Sequence, residues 1–330
     1  MKRPTIADVA AKAGVSRSTV SYALSSKRPI SEDTRQRIQL AIDELGFRPN
    51  PVAKRLASGE HGRNIGFVVP LVAPEMTGLE LKFIAGVASV TNQTDYNFIL
   101  LAHADRNPDN LFRFAQSGLV DGFILMEVNM RDERVDMLRR EEIPFVLIGR
   151  CEDNTGLTYV DVDIDHAMAE SFRHLISLGH QSIAYLYKDD KAYGFSVRAL
   201  RAYHAVCQRY GIAPVLQPCG LSPEDGETAM HRLLENHPET SAAIIWSDIP
   251  TLGAVQAAQS LGRRIPQDFS IICQEHSIIS DLASFVPAII DIRAGEMAAQ
   301  AAQFMIDILE NRPITQPQLL FPPKLRLGGE

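Results

Sequence analysis

The N-terminal stretch TIADVAAKAGVSRSTVSYAL, residues 5–24, decides the fold of the first part of the chain. Thr5 followed three residues later by Asp8 forms a capping-box pattern, and apolar residues then recur at helical spacing, so a short helix is predicted. Gly14 interrupts this helix because a tight turn needs a residue that accepts a positive φ, and Ser16 is placed to cap a second helix. Two short helices joined by a tight turn indicate a helix-turn-helix unit.

A third helix is predicted after Ser31, which is followed by Glu32 and Asp33 in the first turn, where the helix dipole favours anions. Gly46 ends this helix. The second helix differs, since its outer face carries no acidic residue and presents short hydroxyl donors together with Arg17. Such a face suits a DNA major groove, which is lined by acceptors and phosphates, although a small bundle with a solvated polar helix would show the same pattern.

The charge of the chain is unevenly distributed. Residues 1–60 contain 11 Lys and Arg against 6 Asp and Glu, whereas the remaining residues contain 22 against 34, and the net charge of the whole chain is −7. Such asymmetry indicates a basic module for a polyanion attached to an acidic body. The 330 residues suggest about two to three domains, and a composition of 45% apolar and 22% charged residues is typical of globular proteins. The longest apolar runs are strand-sized, so a membrane span is excluded.

The first sixty residues carry a specific resemblance. The stretch at 5–24, with its A-x-x-A-G-V-S-x-x-T-V-S core, and ISEDTRQRIQLAIDELGFRPNPVAKRLASG at 30–59 resemble the DNA-binding headpiece of the lactose and purine repressor family of bacterial transcriptional regulators. The resemblance implies a dimer that places each second helix in a major groove of double-stranded operator DNA. On the matching positions it assigns base-edge contacts to Arg17, Ser18 and Tyr22, and phosphate contacts to Thr5, Ser16, Thr19, Ser21 and Ser31.

A short segment after the third helix extends this resemblance. Asn50 and Pro51 form a favourable cap and first turn for a helix that is too short to be stable alone. In the family this is the hinge helix, which folds on operator DNA and wedges a leucine into the minor groove. The matching positions assign DNA contacts to Asn50, Val52, Ala53, Lys54, Arg55 and Leu56. Without the resemblance, the same segment is a linker with one exposed leucine.

Beyond residue 61 the pattern changes to apolar strands that alternate with helical stretches. Strands are predicted at 65–70, 97–102, 121–126, 144–148, 182–187, 242–246, 269–273 and 289–292. Helices are predicted at 79–94, 165–178, 198–210, 224–236 and 251–261. This alternation predicts an α/β fold with two doubly wound parallel-sheet lobes, which bind ligands beyond the carboxyl ends of their strands.

The expected domains are a headpiece at 1–48, a hinge helix and linker at 49–60, and a two-lobed effector-binding and dimerisation domain at 61–330. Lobe 1 is expected at approximately 61–160 and 291–320, and lobe 2 at approximately 161–290 and 321–330. The stretches VDVDIDHAMAESFRHLISLGHQSIAYL and AQSLGRRIPQDFSII resemble the inter-lobe and second-lobe signatures of the same repressors. The resemblance implies lobes like those of periplasmic sugar-binding proteins, with a small molecule held in the cleft.

Loops at the strand ends supply the candidate effector-binding residues. They are Leu79, Glu80, Arg150, Arg198, Trp246, Asp248, Glu275, His276 and Arg293. Carboxylates, arginines and an aromatic plane suit the hydroxyls and faces of a sugar. The sequence departs from the family pattern in this region, with Ser247-Asp248 in place of Asn-Asp and Cys273-Gln274-Glu275-His276 in place of a Gly-aromatic-Asp motif, so no specific sugar or purine can be transferred.

Catalytic patterns are absent from the sequence: there is no G-x-S-x-G, H-E-x-x-H, G-x-x-x-x-G-K-[ST] or G-x-G-x-x-G. We therefore expect neither an enzyme nor a bound cofactor or metal. The four cysteines are far apart with no C-x-x-C pair, and the N-terminus lacks the apolar segment of a secretory signal, so a cytoplasmic location is expected. The charged runs RDER and RREE at 131–142 predict a solvated helix face.

The leading hypothesis is a ligand-responsive repressor that binds a pseudo-palindromic operator as a homodimer, with a sugar or sugar derivative in the cleft controlling the hinge helices. The chain shows no heptad tail of the kind that makes the lactose-type tetramer, so a dimer is expected. A cytoplasmic solute-binding protein without a regulatory role is the main alternative, and an α/β enzyme with an accessory helix bundle is the third. The sequence leaves open whether the ligand releases or promotes DNA binding.

Overall fold

The computed structural model describes residues 4–25, 30–47, 62–69, 76–102, 106–274 and 287–327. They belong to two units, an N-terminal unit that ends at Gly62 and a larger unit that holds most of residues 63–330. Within the described ranges, no helix is long and apolar enough to cross a bilayer.

The N-terminal unit contains three helices, α1 (Ile6–Ala13), α2 (Arg17–Ser25) and α3 (Glu32–Leu45). The predicted capping box is present, because the Thr5 backbone N–H donates to Asp8 Oδ2 over 2.8 Å. Gly14 and Gly46 end α1 and α3 with φ of 66° and 61°, so the predicted helix-turn-helix unit is confirmed. A small apolar core joins the three helices, and it consists of Val9, Ala10, Ala13, Val20, Ile38, Ala41 and Phe47.

The first lobe of the larger unit is a six-stranded parallel sheet in the order β11-β5-β4-β3-β1-β2. Its strands are β1 (Asn64–Val69), β2 (Asn97–Ala102), β3 (Gly122–Leu125), β4 (Phe145–Ile148), β5 (Tyr159–Val162) and β11 (Gln318–Phe321). Its helices are α4 (Gly78–Thr91), α5 (Pro108–Gln116), α6 (Glu133–Arg140) and α11 (Ala294–Leu309). Helix α11 packs on α4 although more than two hundred residues separate them in the chain.

The second lobe is a six-stranded sheet in the order β12-β10-β9-β8-β6-β7, parallel except for β12, which runs antiparallel to β10. Its strands are β6 (Ile183–Tyr187), β7 (Val215–Pro218), β8 (Ala242–Ile245), β9 (Ser270–Cys273), β10 (Ala288–Asp291) and β12 (Lys324–Arg326). Its helices are α7 (Ile164–Ser177), α8 (Gly194–Tyr210), α9 (Pro223–Asn236) and α10 (Asp248–Ser260). The predicted architecture, an all-α headpiece with two parallel-sheet lobes, is confirmed.

Helices α9 and α10 approach each other closely because each presents a glycine to the other. A Cβ atom on Gly226 would lie 1.8 Å from the carbonyl oxygen of Pro250, and one on Gly253 would lie 1.8 Å from that of Pro223. Backbone atoms cannot yield to such contacts, so both positions require glycine. This crossing fixes the position of α9 in the second lobe.

The charged run at 131–134 differs from its prediction. The side chains of Asp132 and Arg134 are each only 2% exposed, and Arg134 Nη2 lies 2.7 Å from Asp132 Oδ2. Arg134 also donates to the carbonyl oxygen of Glu127 over 3.1 Å. The prediction of a solvated helix face was therefore wrong for these two residues, because each charge has its partner inside the protein and does not need water.

The C-terminal run LLFPPKLRL at 319–327 is divided between the two sheets. Pro322 and Pro323 separate β11, which pairs with β5, from β12, which pairs with β10. A proline lacks the N–H that a strand needs for its ladder, and this explains the break.

Candidate functional site

Three of the hydroxyl residues assigned to phosphates are helix N-caps in the N-terminal unit. Thr5 Oγ1 accepts a hydrogen bond from the backbone N–H of Asp8 at the start of α1 over 3.4 Å. Ser16 Oγ accepts from the N–H of Thr19 in α2 over 3.1 Å, and Ser31 Oγ accepts from the N–H of Thr34 in α3 over 3.4 Å. All three caps are exposed, and the positive end of a helix dipole favours an anion, so each cap is a suitable place for a phosphate.

Helix α2 exposes the residues assigned to base edges at its N-terminal end. Arg17 and Ser18 are exposed, whereas Thr19, Ser21 and Tyr22 are half-buried. Ser16 Oγ lies 2.7 Å from Ser18 Oγ, which orders the hydroxyls at the start of the helix. The DNA contacts of these residues stay predictions. The hinge residues assigned by the resemblance, Asn50, Val52, Ala53, Lys54, Arg55 and Leu56, lie outside the described residues.

A cavity of about 190 Å³ lies between the two lobes of the larger unit, and we call it the cleft cavity. Its walls come from the carboxyl ends of strands in both sheets, where doubly wound folds bind ligands. Four of the candidate effector-binding residues line it: Leu79, Glu80, Arg198 and Trp246.

An ion-pair cluster across the lobes forms one wall of the cleft cavity. Asp161 lies near the end of β5 in the first lobe and is 5% exposed. Its Oδ2 lies 2.8 Å from Nε of Arg150 and 3.2 Å from Nη2 of Arg198, which belongs to the second lobe. Arg198 Nη1 also donates to the carbonyl oxygen of Arg150 over 2.8 Å. Burial lowers the pKa of the Arg198 guanidinium, and Asp161 offsets this in part. The structure thus places Arg150 behind Asp161 rather than among the lining residues.

Two further carboxylates line the cleft cavity from the first lobe. Glu80 forms a capping box at the start of α4, where its Oε2 accepts from the Thr77 N–H over 2.6 Å, and burial raises the pKa of this carboxyl. Glu127, after β3, pairs with Arg106 over 2.9 Å. Carboxylates in this setting are strong acceptors for the hydroxyl groups of a ligand.

Aromatic side chains form the wall contributed by the second lobe. The Lys188 ammonium lies 4.5 Å from the centre of the Tyr193 ring and 5.7 Å from that of Trp246. Trp246 Nε1 donates to the carbonyl oxygen of Cys219 over 3.1 Å, which fixes the indole plane. Aromatic faces of this kind pack against the C–H faces of sugar rings.

The remaining candidate effector-binding residues lie elsewhere. Asp248, the first residue of α10, is buried, and its Oδ2 has no hydrogen-bond partner in the described part of the chain. Arg293 has a φ of 61° and is bonded to Glu296 rather than directed into the cavity, with Nε 2.9 Å from Oε1. Glu275 and His276 lie outside the described residues.

The lobes also contact each other through backbone hydrogen bonds beside the cleft cavity. Met130 N–H donates to the carbonyl oxygen of Ala192 over 2.8 Å, and Gly194 N–H donates to that of Val128 over 2.9 Å. A Cβ atom on Gly194 would lie 2.8 Å from the carbonyl oxygen of Arg150. The close approach of the lobes at this point therefore depends on glycine.

Sequence reasoning missed Asp161, Glu127, Lys188 and Tyr193, which all line the cleft cavity. Asp161 could have been found if β5 had been recognised as a strand, because the carboxyl end of β5 lies beside the carboxyl ends of the other strands in this sheet. Lys188 and Tyr193 lie in the loop after β6, and nothing in the local sequence indicates which way that loop turns.

Comparison with known proteins agrees with this architecture. Residues 5–50 match the family model described as bacterial regulatory proteins, lacI family, and residues 172–329 match a periplasmic binding protein-like domain. The HTH-type transcriptional regulator AglR of Rhizobium meliloti (strain 1021) is 32% identical over 268 residues, covering 79% of this chain and 75% of AglR.

Two solved structures show the same fold. The CelR–cellobiose complex, a transcriptional regulator, has a TM-score of 0.72 at 24% identity, covering 99% of each chain. The lac repressor dimer bound to operator and the anti-inducer ONPF has a TM-score of 0.80 at 20% identity, covering 99% of this chain and 98% of that one. The headpiece, the two lobes and these relatives lead to one conclusion: the chain belongs to the lacI family of bacterial transcriptional regulators, which are not enzymes.

Proposed function

We propose that this regulator is a repressor that binds a pseudo-palindromic operator as a homodimer. Its affinity for the operator falls or rises when a saccharide occupies the cleft cavity. The observation that carries the proposal is the cavity itself. Residues from both lobes line it, and Asp161 and Arg198 connect the lobes across it, so a ligand there changes the balance between lobe arrangements.

The DNA-binding part of the proposal rests on the helix-turn-helix unit. Arg17 is exposed at the start of α2, where its planar guanidinium can donate two hydrogen bonds to one guanine edge. The exposed caps Thr5, Ser16 and Ser31 would hold phosphates and set the register. The lac repressor neighbour was solved as a dimer on its operator, and this supports the same assembly here.

The proposed domain division follows the predicted one, with a headpiece at 1–48, a hinge helix and linker at 49–60 and an effector-binding domain at 61–330. The segment at 49–60 leads into β1 of the first lobe, so a shift of that lobe can be transmitted to it. The effect of a ligand on operator affinity is limited to its differential affinity for the two states.

The saccharide part of the proposal rests on the chemistry of the cleft cavity. Asp161, Glu80 and Glu127 can accept hydrogen bonds from hydroxyls, Arg198 can donate, and Trp246 offers a flat apolar face. This combination fits a sugar ring, which has hydroxyls at its rim and C–H groups on its faces. The CelR neighbour was solved with cellobiose, which supports a saccharide as the ligand class.

The proposed location is the cytoplasm, where operator DNA is accessible. All four cysteines are buried and free, as expected for a reducing compartment.

The test is binding of the full-length protein to fluorescent DNA from upstream of its own gene, with a scrambled duplex as the control. The proposal expects specific affinity that falls steeply with salt and changes on addition of at least one saccharide. Equal affinity for the scrambled duplex would contradict operator recognition. Specific DNA binding that no small molecule alters would contradict the regulatory role of the cleft cavity.

A further inference from the structure

A second cavity of about 340 Å³ adjoins the cleft cavity, and the two share Lys188 and Gly220 as lining residues. We call it the side cavity. Resting on the proposed function, we propose that the two cavities form one bipartite site, and that the effector is a saccharide of at least two units. One unit occupies the cleft cavity, and the next occupies the side cavity.

The wall between the cavities is a defined structural element. Trp246 lines the cleft cavity and Cys219 lines the side cavity, and they are joined by the hydrogen bond from the indole Nε1 to the Cys219 carbonyl oxygen. Gly220, next in the chain, lies where the cavities meet. A Cβ atom there would lie 2.3 Å from Asp225 Oδ2, so a larger residue would disturb the junction. In the proposed bipartite site, the ligand would cross between the cavities at Gly220, where the backbone carries no side chain.

The side cavity has the chemistry of a polyhydroxyl site. Lys188 and Arg232 supply donors, Asp189 and Asp225 supply acceptors, and the Thr228 hydroxyl can do both. Within the described ranges, Lys188, Asp189 and Arg232 form no ion pair. Two cations and two carboxylates balance in charge, which favours a neutral group that both donates and accepts. A neutral group with both donors and acceptors can bond to residues of either charge, whereas an anionic or apolar group can bond to only part of them.

The helix that carries much of this lining is firmly placed. Thr228 and Arg232 lie on α9, one turn apart, and α9 is fixed against α10 by the glycine crossing at Gly226 and Gly253. At the start of α9, Asp225 Oδ2 accepts from the Ser222 N–H over 3.0 Å. The backbone that carries these side chains is therefore in place before a ligand binds.

The volumes support a two-part ligand. The cleft cavity of about 190 Å³ is smaller than the range of about 300 to 1,000 Å³ that small-molecule sites occupy. The side cavity of about 340 Å³ lies within that range, and so do the two cavities together. A ligand confined to the cleft cavity would leave the adjoining polar surface in contact with water.

The experiment measures saccharide affinity by calorimetry on the full-length protein. The probes are glucose, galactose, mannose and xylose, together with cellobiose, maltose, lactose, mannobiose and xylobiose. We expect at least one disaccharide to bind at least tenfold more tightly than either of its constituent monosaccharides. Arg232→Ala and Thr228→Val should each reduce that ratio, by at least fivefold for Arg232→Ala, since one hydrogen bond from a charged group is lost. Arg201→Ala, which removes an exposed arginine from α8 outside both cavities, should leave the ratio at its wild-type value.

The outcomes separate this inference from the proposed function. The bipartite site would be overturned if monosaccharides bind as tightly as every disaccharide that contains them. It would also be overturned if the ratio of disaccharide to monosaccharide affinity is unchanged in both side-cavity variants. Either result would leave the proposed saccharide-responsive regulator in place. If no saccharide of either length binds while the same samples still bind their operator, the saccharide class itself is wrong, and this inference fails with it.

Discussion

Replacing Gly194 with alanine should weaken ligand binding by preventing the lobes from meeting beside the cleft cavity. The added Cβ would lie 2.8 Å from the carbonyl oxygen of Arg150 and 2.9 Å from that of Val128, both in the first lobe. These are backbone atoms that cannot rotate away. Overpacking of this kind costs about 1–3 kcal/mol. We expect separation of the lobes to relieve the clash, so that the cost falls on the arrangement in which the lobes touch rather than on folding.

A cost of this size corresponds to a Kd raised by about 5- to 150-fold. The assay is calorimetric titration of Gly194→Ala with the saccharide that the wild-type protein binds best, together with a melting curve of the free protein. Gly295→Ala is the matched control, since its methyl group would meet only the Lys82 carbonyl oxygen at an ordinary 3.7 Å. An unchanged Kd for Gly194→Ala would refute the reasoning, and so would a large fall in the Tm of the free protein with no change in Kd.

Four other changes should have measurable effects. Arg17→Ala should cost about 1–3 kcal/mol of operator affinity and relax base preference at one position per half-site, and uniform weakening on all operator variants would contradict base contact. Leu56→Ala, by the family resemblance, should weaken specific binding and reduce DNA bending in a gel phasing assay while leaving binding to random DNA nearly unchanged. Gly253→Ala should lower the Tm, as its Cβ would lie 1.8 Å from a carbonyl oxygen, and an unchanged Tm would mean that the helix crossing is looser than described. Arg134→Leu should cost about 3–5 kcal/mol at pH 7, because it leaves Asp132 buried and unpaired.

The effect of Arg134→Leu should depend on pH. Burial would raise the pKa of Asp132, but hydrogen bonds and charge from Arg134 overcome this and hold it below its ordinary value. A carboxyl with a lowered pKa contributes stability above its unfolded pKa of about 3.9 and loses it as the pH falls through the folded value. In Arg134→Leu, burial without the arginine raises the pKa of Asp132, so the variant is relieved as this carboxyl protonates. The difference in unfolding free energy between wild type and Arg134→Leu should therefore begin to narrow above about pH 4 and narrow further below it. A constant difference down to pH 2 would contradict this account.

Local sequence signals predicted the N-terminal unit well, because caps and turns depend on neighbouring residues. Thr5, Ser16, Ser31 and the two helix-ending glycines all have the roles that their spacing indicates. Strands with continuous apolar runs, such as β8 and β9, were also found from sequence. Strand β5 was missed because Tyr-Val-Asp-Val places a carboxylate in the strand, where it is satisfied by two arginines from distant segments.

The candidate site was predicted less completely, because its charged residues also pair with residues that are distant in the chain. Leu79 and Trp246 follow apolar strands and line the cleft cavity as expected. Arg150 has the expected chemistry, but its partner Asp161 occupies the position next to the cavity. The burial of Arg134 was missed because a hydrophobic pattern shows that a residue is charged but not whether an opposite charge lies next to it in the fold.

The position of α11 has a consequence for folding during synthesis. This helix covers α4 of the first lobe, yet it is translated after the whole of the second lobe except β12. A ribosome that adds about 5–20 residues per second needs at least roughly ten seconds to make the intervening chain. During that time the face of α4 that packs on α11 lacks its native partner. Synthesis of the first lobe begins before that of the second lobe and is completed after β10 has been made. The nascent chain is therefore most susceptible to aggregation or chaperone binding while its second lobe is being synthesised.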